Sequence, residues 1–490
     1  MLFSPSVEAV RFAAHPAVVA KYVGLMLLVL GLLILVPLGV SILTGTWSAA
    51  WRYAVVVLAL VGLGASGNRL KVRQDIQRNE ALAISALMFV IPPFFMAFPL
   101  MGYGLSFEDA LFEAVSGVTT TGLTTLENLA DMPAAFLFSR AWMQWVGGLG
   151  VVVLALALIL QPGTATAHLG FAEREAADVV GGTRSHARKV AVVYLALTLL
   201  GFLLLVGSGA SLFDSLTGSL TAISTGGFAN YDDSLAGFSG TFTPHMAVLL
   251  SVLGAVTFTF YYRPFYGQAG RALRDSQLWT LVAMLAVVTL LIYLLGSYPG
   301  EISWQERLSQ ALITGFSAQS TAGFSLVPVA ELGSTAMLVL VVAMFCGGGL
   351  GSTAGGIKVL RLLILVRLFQ LLLVRASVPP DAKVDVRLDG KRLQHVEIEA
   401  SIAVILGYVL TIVAIWLVFL AYGYEPLPAL FEVTSAVSTT GLSADIVGPA
   451  LSSELKYLLC FGMLAGRVET AALIVLLFPW TWIGKRRNIQ

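Results

Sequence analysis

ALFEAVSGVTTTGL, residues Ala110–Leu123, decides how this chain is read, because it is written four times. Aligned without a gap, the other copies are SLTGSLTAISTGGF (Ser215–Phe228), ALITGFSAQSTAGF (Ala311–Phe324) and ALFEVTSAVSTTGL (Ala429–Leu442). Each ends in Thr/Ser-Thr-x-Gly-Leu/Phe, so Gly122, Gly227, Gly323 and Gly441 hold one equivalent position. Intervals of 105, 96 and 118 residues between them exceed any solenoid repeat. They suit one hairpin of membrane helices per copy. Four such loops meeting on one axis would build an ion-selectivity filter.

Composition places the chain in a bilayer. Of its 490 residues 57% are hydrophobic and 12% charged, against about 25% charged in a soluble domain. Mean hydropathy is +0.86, and apolar runs near the length of a membrane crossing recur throughout. No alternating ten-residue strand pattern points to a barrel, and no cleavable signal follows Arg11 and Lys21. Cys346 and Cys460 lie inside apolar runs, which argues against a disulfide framework or a thiolate metal site. Spans are expected near 20–43, 51–67, 81–103, 137–160, 189–208, 244–262, 277–297, 335–375 (interrupted), 397–422 and 455–482. With the N-terminus cytoplasmic and the four copies dipping in without crossing, most of the 29 Lys and Arg fall on the cytoplasmic side, as the positive-inside rule requires. Both termini then lie in the cytoplasm. Just over half of the 28 acidic residues fall outside, where an acidic vestibule concentrates cations.

The expected fold is an all-α polytopic membrane protein. Residues 1–76 form an accessory helical hairpin. Four helix–loop–helix repeats follow at 77–170, 171–270, 271–376 and 377–490 around a pseudo-fourfold axis. In each, the stretch before the filter Gly is too short to cross. Ser106-Phe-Glu-Asp109, Ser211-Leu-Phe-Asp214 and Ser303-Trp-Gln-Glu306 are capping signatures. Glu425-Pro426 replaces them in the fourth copy, with Pro suited to the first helical turn. Each short helix thus aims its partially negative C-terminal end at the filter. Alternation of Val384, Val386 and Leu388 before Asp389-Gly390 predicts a small β-hairpin.

A dehydrated K+ needs a ring of oxygens, and backbone carbonyls supply them without net charge. Gly permits the positive φ that turns carbonyls inward, and irregular backbone at membrane depth must be buried or line a water-filled path. Cys346–Lys358, CGGGLGSTAGGIK, interrupts the second helix of the third repeat. Ile357 between Gly356 and Lys358 breaks any nucleotide-loop pattern. Mobile backbone lining a cavity is the reading that remains. GGLG at Gly147–Gly150 stands at the corresponding distance from Gly122 and reads as close helix packing. Arg467 lies at membrane depth and needs a partner, either the carbonyls of that Gly-rich loop or an acid on another helix. Glu469 points to a different helix face. Glu113 and Glu432, nine residues before their Gly, read as supports for the filter backbone or as vestibule charges. The five His residues show no ligand spacing, and no nucleophile–base pair suggests an enzyme.

Four filter copies, a Gly-rich break in the third repeat and GRVE (Gly466–Glu469) in the fourth together resemble the Trk/Ktr/HKT superfamily of K+ transporters. The N-terminal hairpin makes the chain similar to the bacterial TrkH/TrkG branch. The resemblance covers nearly the whole chain. It implies a channel-like K+ uptake subunit of the bacterial inner membrane, homodimeric, and gated by its intramembrane loop. Regulation would come from a cytosolic nucleotide-binding ring of the TrkA type. Carried onto this sequence, the filter is Thr120, Thr121 and Gly122; Thr225, Gly226 and Gly227; Ser320, Thr321, Ala322 and Gly323; and Thr439, Thr440 and Gly441. The gate is Gly347, Gly348, Gly349, Gly351, Ser352, Thr353, Gly355, Gly356 and Lys358, with Arg467 as its latch. Members with Ser at the first filter position admit Na+, so Gly122 favours K+. The second copy lacks the Phe-Glu of copies one and four, which weakens any shared role for those Glu residues. No cofactor is expected beyond the transported K+, and no nucleic-acid partner. The alternative is a symporter coupling K+ to H+ or Na+, which needs an ionisable relay in the membrane.

Overall fold

The computed structural model describes residues 13–72, 76–150, 183–240, 242–298, 302–379, 385–468 and 470–483. Val384, Glu469, Lys485–Arg487, the span beyond Gly150 and most of the 161–188 loop lie outside those residues. The first two helices, Pro16–Leu43 and Trp47–Asn68, form an antiparallel hairpin. Their backbones touch because a Cβ on Gly24 would come under 3.0 Å of the Gly67 Cα, the small-residue contact expected between membrane helices.

Four units follow, each built as leading helix, short helix, trailing helix. The leading helices are Arg78–Leu100, Thr183–Gly207, Ser276–Leu295 and His395–Ala421. The short helices are Phe107–Val118, Leu212–Ile223, Trp304–Gln319 and Pro426–Val437. The trailing helices are Ala134–Gly148, Thr243–Ala255, Gly333–Cys346 and Ser453–Val468. Three short helices have 12 residues and the third has 16. At about 1.5 Å per residue none crosses a core about 30 Å thick. Ser106, Ser211 and Ser303 accept from the backbone N–H of Asp109, Asp214 and Glu306 at 3.1, 3.0 and 3.2 Å. Glu425 precedes Pro426 at the start of the fourth. The capping signatures thus mark the helix starts.

Among the described residues seven helices are long and apolar enough to cross a membrane, and an eighth span is bent by 85° between Thr243–Ala255 and Thr259–Tyr266. An unbroken helix is expected over 244–262 from hydropathy, so the bend corrects that span. Its cause lies in the third unit. The broken segment after Cys346 takes the carbonyls that would continue the helix: Gly349 N donates to Ala255 O at 2.9 Å and Thr353 N to Gly254 O at 3.2 Å. Phe258 N in turn donates to Gly351 O at 3.3 Å. The chain resumes as helix at Val359–Arg375. The predicted hairpin is present but short: Arg387–Leu388 pairs with Lys391–Arg392, and Asp389 and Gly390 take φ of 48° and 80°, as a two-residue primed turn demands.

Candidate ion pathway and its intramembrane plug

Each short helix ends the same way. Thr120, Thr225, Thr321 and Thr439 take left-handed φ of 57°, 52°, 54° and 51°. Their amides donate to Gly117, Ala222, Ala318 and Ala436. The next residues, Thr121, Gly226, Ala322 and Thr440, donate five positions back to Ser116, Thr221, Ser317 and Ser435 at 2.8–2.9 Å. This is the Schellman ending, a motif that ordinarily places Gly at the left-handed position. A β-branched Thr there is strained and persists only where its surroundings over-determine it. Gly122, Gly227, Gly323 and Gly441 then also turn left-handed, at φ of 95°, 79°, 71° and 93°.

These turns meet in a ring. A Cβ on Gly122 would come under 3.0 Å of Gly226 O, one on Gly227 of Ala322 O, one on Gly323 of Thr440 O, and one on Gly441 of Thr121 O. The order one–two–three–four–one closes, so the four equivalent glycines surround one axis. The negative ends of four helices converge on it. Thr120, Thr121, Thr225, Ser320, Thr321, Thr439 and Thr440 are all buried, and the Thr120 and Thr439 hydroxyls have no partner among the described residues.

Side chains brace the ring from behind. Ser116 Oγ and Ser435 Oγ accept from Gly122 N and Gly441 N at 3.0 and 3.1 Å. Glu113, fully buried, pairs with Arg140 Nε at 3.0 Å and accepts from Thr124. Glu432 accepts from Ser443 Oγ at 2.9 Å and Ala444 N at 2.8 Å. Both Glu residues therefore hold the segment that leaves the turn, and both are fully buried. In the second unit the position of Glu113 is Gly218, and Asp214, which stands where the first unit has Asp109, accepts from Asn230 Nδ2 at 2.7 Å and Tyr231 Oη at 3.0 Å. Asp109 accepts from Thr125 Oγ1 at 2.9 Å in the same way, so the missing Phe-Glu has no replacement there. At the rim, burial alone would raise the Asp109 carboxyl, but bonds from Lys456, Ser106 and Thr125 hold it below the usual carboxylate range. Lys456 Nζ lies 2.8 Å from it and ties the fourth unit to the first.

Below the ring sits the break of the third unit. Gly355 N donates to Thr321 Oγ1 at 2.7 Å and Gly356 N to Ser438 O at 3.0 Å. Thr353 Oγ1 reaches Ile223 O and Gly254 O, both at 2.9 Å. Gly347 O accepts from Gln319 Nε2 at 2.8 Å. A Cβ on Gly355 would overlap Ser438 O and Thr439 Oγ1, so only Gly fits against the fourth turn. Gly348 packs against Ala354 and Ala255, and Ser352 Oγ bonds Gly349 O at 2.6 Å. Lys358 Nζ donates to Ala354 O. Arg467 Nη1 donates to Thr353 O at 2.7 Å and Nη2 to Gly147 O at 3.2 Å. Its partners are carbonyls of the break and of the first trailing helix. Gly147 and Gly466 are themselves close-packing points, since a Cβ on either would overlap the last carbonyl of a short helix, Val118 O or Val437 O.

Three residues next to the ring carry no sequence signal of their own role: Arg140, Gln144 and Gln319. Arg140 reads as an outer-side charge, yet it is 2% exposed. Gln144 and Gln319 are polar residues inside buried helix faces, and such burial requires partners. Among the described residues no group of three or more His, Cys, Asp or Glu is placed to hold a metal ion.

Comparison with known proteins bears on the same arrangement. The family model described as "TrkH: Cation transport protein" matches residues 94–479. The Trk system potassium uptake protein TrkH of Escherichia coli K12 is 28% identical over 488 residues, covering 96% of this chain and 99% of that protein. An uncharacterized cation transporter of Methanocaldococcus jannaschii is 28% identical over 408 residues, 82% of this chain and 83% of the relative. The crystal structure of the potassium transporter TrkH from Vibrio parahaemolyticus superposes with a TM-score of 0.82 at 26% identity, covering 96% of this chain and 100% of that one.

Proposed function

Since the chain belongs to the TrkH family of cation transport proteins, and is a membrane transporter and not an enzyme, we propose that it takes up potassium through a gated, channel-like pore. The ring of Thr121, Gly226, Ala322 and Thr440 carbonyls is the selectivity filter, with Thr120, Gly122, Thr225, Gly227, Ser320, Thr321, Gly323, Thr439 and Gly441 completing it. The observation that carries this reading is the closed order of the four glycines about one axis. Neutral carbonyls held by rigid turns replace the hydration shell of K+.

Gly347–Lys358 is the gate. It lies against the ends of the second, third and fourth short helices, where it stands across the path below the filter. Arg467 latches it through the Thr353 carbonyl. Opening exchanges these bonds for others, which a glycine-rich segment does at low steric cost. The pore belongs to a homodimer in a bacterial inner membrane with both termini in the cytoplasm. A cytosolic nucleotide-binding ring of the TrkA type would act on the gate from that side.

The test is flux into proteoliposomes. Rb+ should enter down its own gradient with no requirement for H+ or Na+, which separates a pore from a symporter. Gly122→Ser should lower the Rb+/Na+ flux ratio about tenfold, since its Cβ crowds the Gly226 carbonyl. An unchanged ratio in that variant would remove the filter assignment.

A further inference from the structure

The four filter turns are not braced alike. Three carry a side chain before the filter Gly, namely Thr121, Ala322 and Thr440, whereas the second has Gly226-Gly227. A diglycine is the least restrained backbone there is, yet its Gly226 carbonyl must hold position in the ring against Gly122. The first trailing helix supplies the restraint. Gln144, fully buried, donates from Nε2 to Gly226 O at 2.5 Å and accepts from Phe228 N at its Oε1 at 3.1 Å. One amide thus brackets Gly227 on both sides. One helical turn earlier, Arg140 donates to Ala229 O at 3.0 Å and lays its guanidinium 3.9 Å from the centre of the Phe228 ring. Gly147, Gly254 and Gly466 meet the last carbonyls of their short helices in the same way, so the residues corresponding to Gln144 in the second and fourth trailing helices are Ser251 and Met463, and neither has an amide to offer.

Space and bonding agree. A Cβ at position 226 would overlap the Gln144 amide itself, so a side chain in the turn would push the glutamine off its two bonds. Gly226 is not among the positive-φ glycines, and its backbone would accept alanine. What excludes a side chain there is Gln144.

We propose that Gln144 is a positioning residue for the second filter strand and sets the ion preference of the pore, a reading that rests on the filter assignment above. Its N–H both fixes the direction of the Gly226 carbonyl and withdraws part of that oxygen from the ion. Among the described residues the other three ring carbonyls accept no such bond. The ring is therefore fourfold in backbone and uneven in ligand strength.

The experiment compares four proteins in liposomes: the unaltered chain, Gln144→Met, Gly226→Ala, and Gln144→Ala combined with Gly226→Ala. Rb+ and Na+ fluxes are measured alongside the melting temperature of each. Gln144→Met should lower the Rb+/Na+ ratio about five- to tenfold while Rb+ still passes, the size of effect expected from freeing one buried carbonyl. Gly226→Ala alone should lower the ratio to a similar degree. The double variant should recover to within about twofold of the original, because it recreates the alanine of the third turn and clears the room for it. A double variant no better than Gly226→Ala alone would overturn the proposal. So would an unchanged ratio in Gln144→Met, and so would a fall in melting temperature without a change in the ratio. Failure of the filter assignment is read elsewhere, as an unchanged Rb+/Na+ ratio in Gly122→Ser, whatever the Gln144 variants do.

Discussion

The ring of four glycine turns and the broken helix beneath it, proposed above as filter and gate, are both glycine-containing backbone in the protein interior, yet they are held in opposite ways. In the ring each turn is bonded mainly to its own short helix, through the paired amides of Thr120 and Thr121 and their counterparts. In the break the partners come from elsewhere: Gln319 and Thr321 from the third short helix, Ser438 from the fourth, Gly254 from the second trailing helix, and Arg467 from the last. Bonds made within one helix turn cannot be lost without unwinding it. Bonds made to other elements can be exchanged one by one as the segment moves. The first kind suits the selectivity filter proposed above and the second kind the proposed gate.

That contrast makes its sharpest prediction at the ring. Gly441→Ala places a Cβ against Thr121 O at a φ of 93°. As at Gly122, where the equivalent clash costs selectivity and not passage, the Rb+/Na+ flux ratio should fall by about tenfold or more. An unchanged ratio would mean the ring tolerates what its geometry forbids. At the break the sign reverses. Arg467→Gln removes charge-assisted bonds to Thr353 O and Gly147 O, each worth about 1.5–3 kcal/mol. Resting Rb+ flux should rise about tenfold with its preference over Na+ intact, and a fall in flux would break the comparison. The smallest effect is expected at the distal start of a short helix. Ser106→Ala deletes the cap on Asp109 and should cost about 1 kcal/mol in stability, read as melting temperature, with flux ratios unmoved.

How much of this was legible in the sequence follows the same division. The four copies, the short helices and their Ser-x-x-Asp/Glu starts could be read because repetition and capping are local signals. The break at Cys346–Lys358 was visible as composition, and Arg467 as a charge out of place. The left-handed threonines were hidden, because propensity assigns positive φ to glycine and strain at Thr120, Thr225, Thr321 and Thr439 is imposed by packing. The 85° bend after Ala255 was hidden too. Its cause is a set of hydrogen bonds from residues about 100 positions later in the chain, and hydropathy carries no trace of them. Gln144 looked like one polar residue in an apolar helix, and only the register of that helix against the second turn gives it a task. The sequence leaves Glu113 and Glu432 two roles, and the bonds from Arg140, Thr124 and Ser443 decide between them.

The most direct measurement is anomalous scattering from crystals of the protein grown in Rb+. The account predicts density on the axis, enclosed by the carbonyl oxygens of Thr121, Gly226, Ala322 and Thr440, that persists when Na+ is added in excess over Rb+. An empty axis at that level, or loss of the Rb+ signal to an equal concentration of Na+, would contradict it.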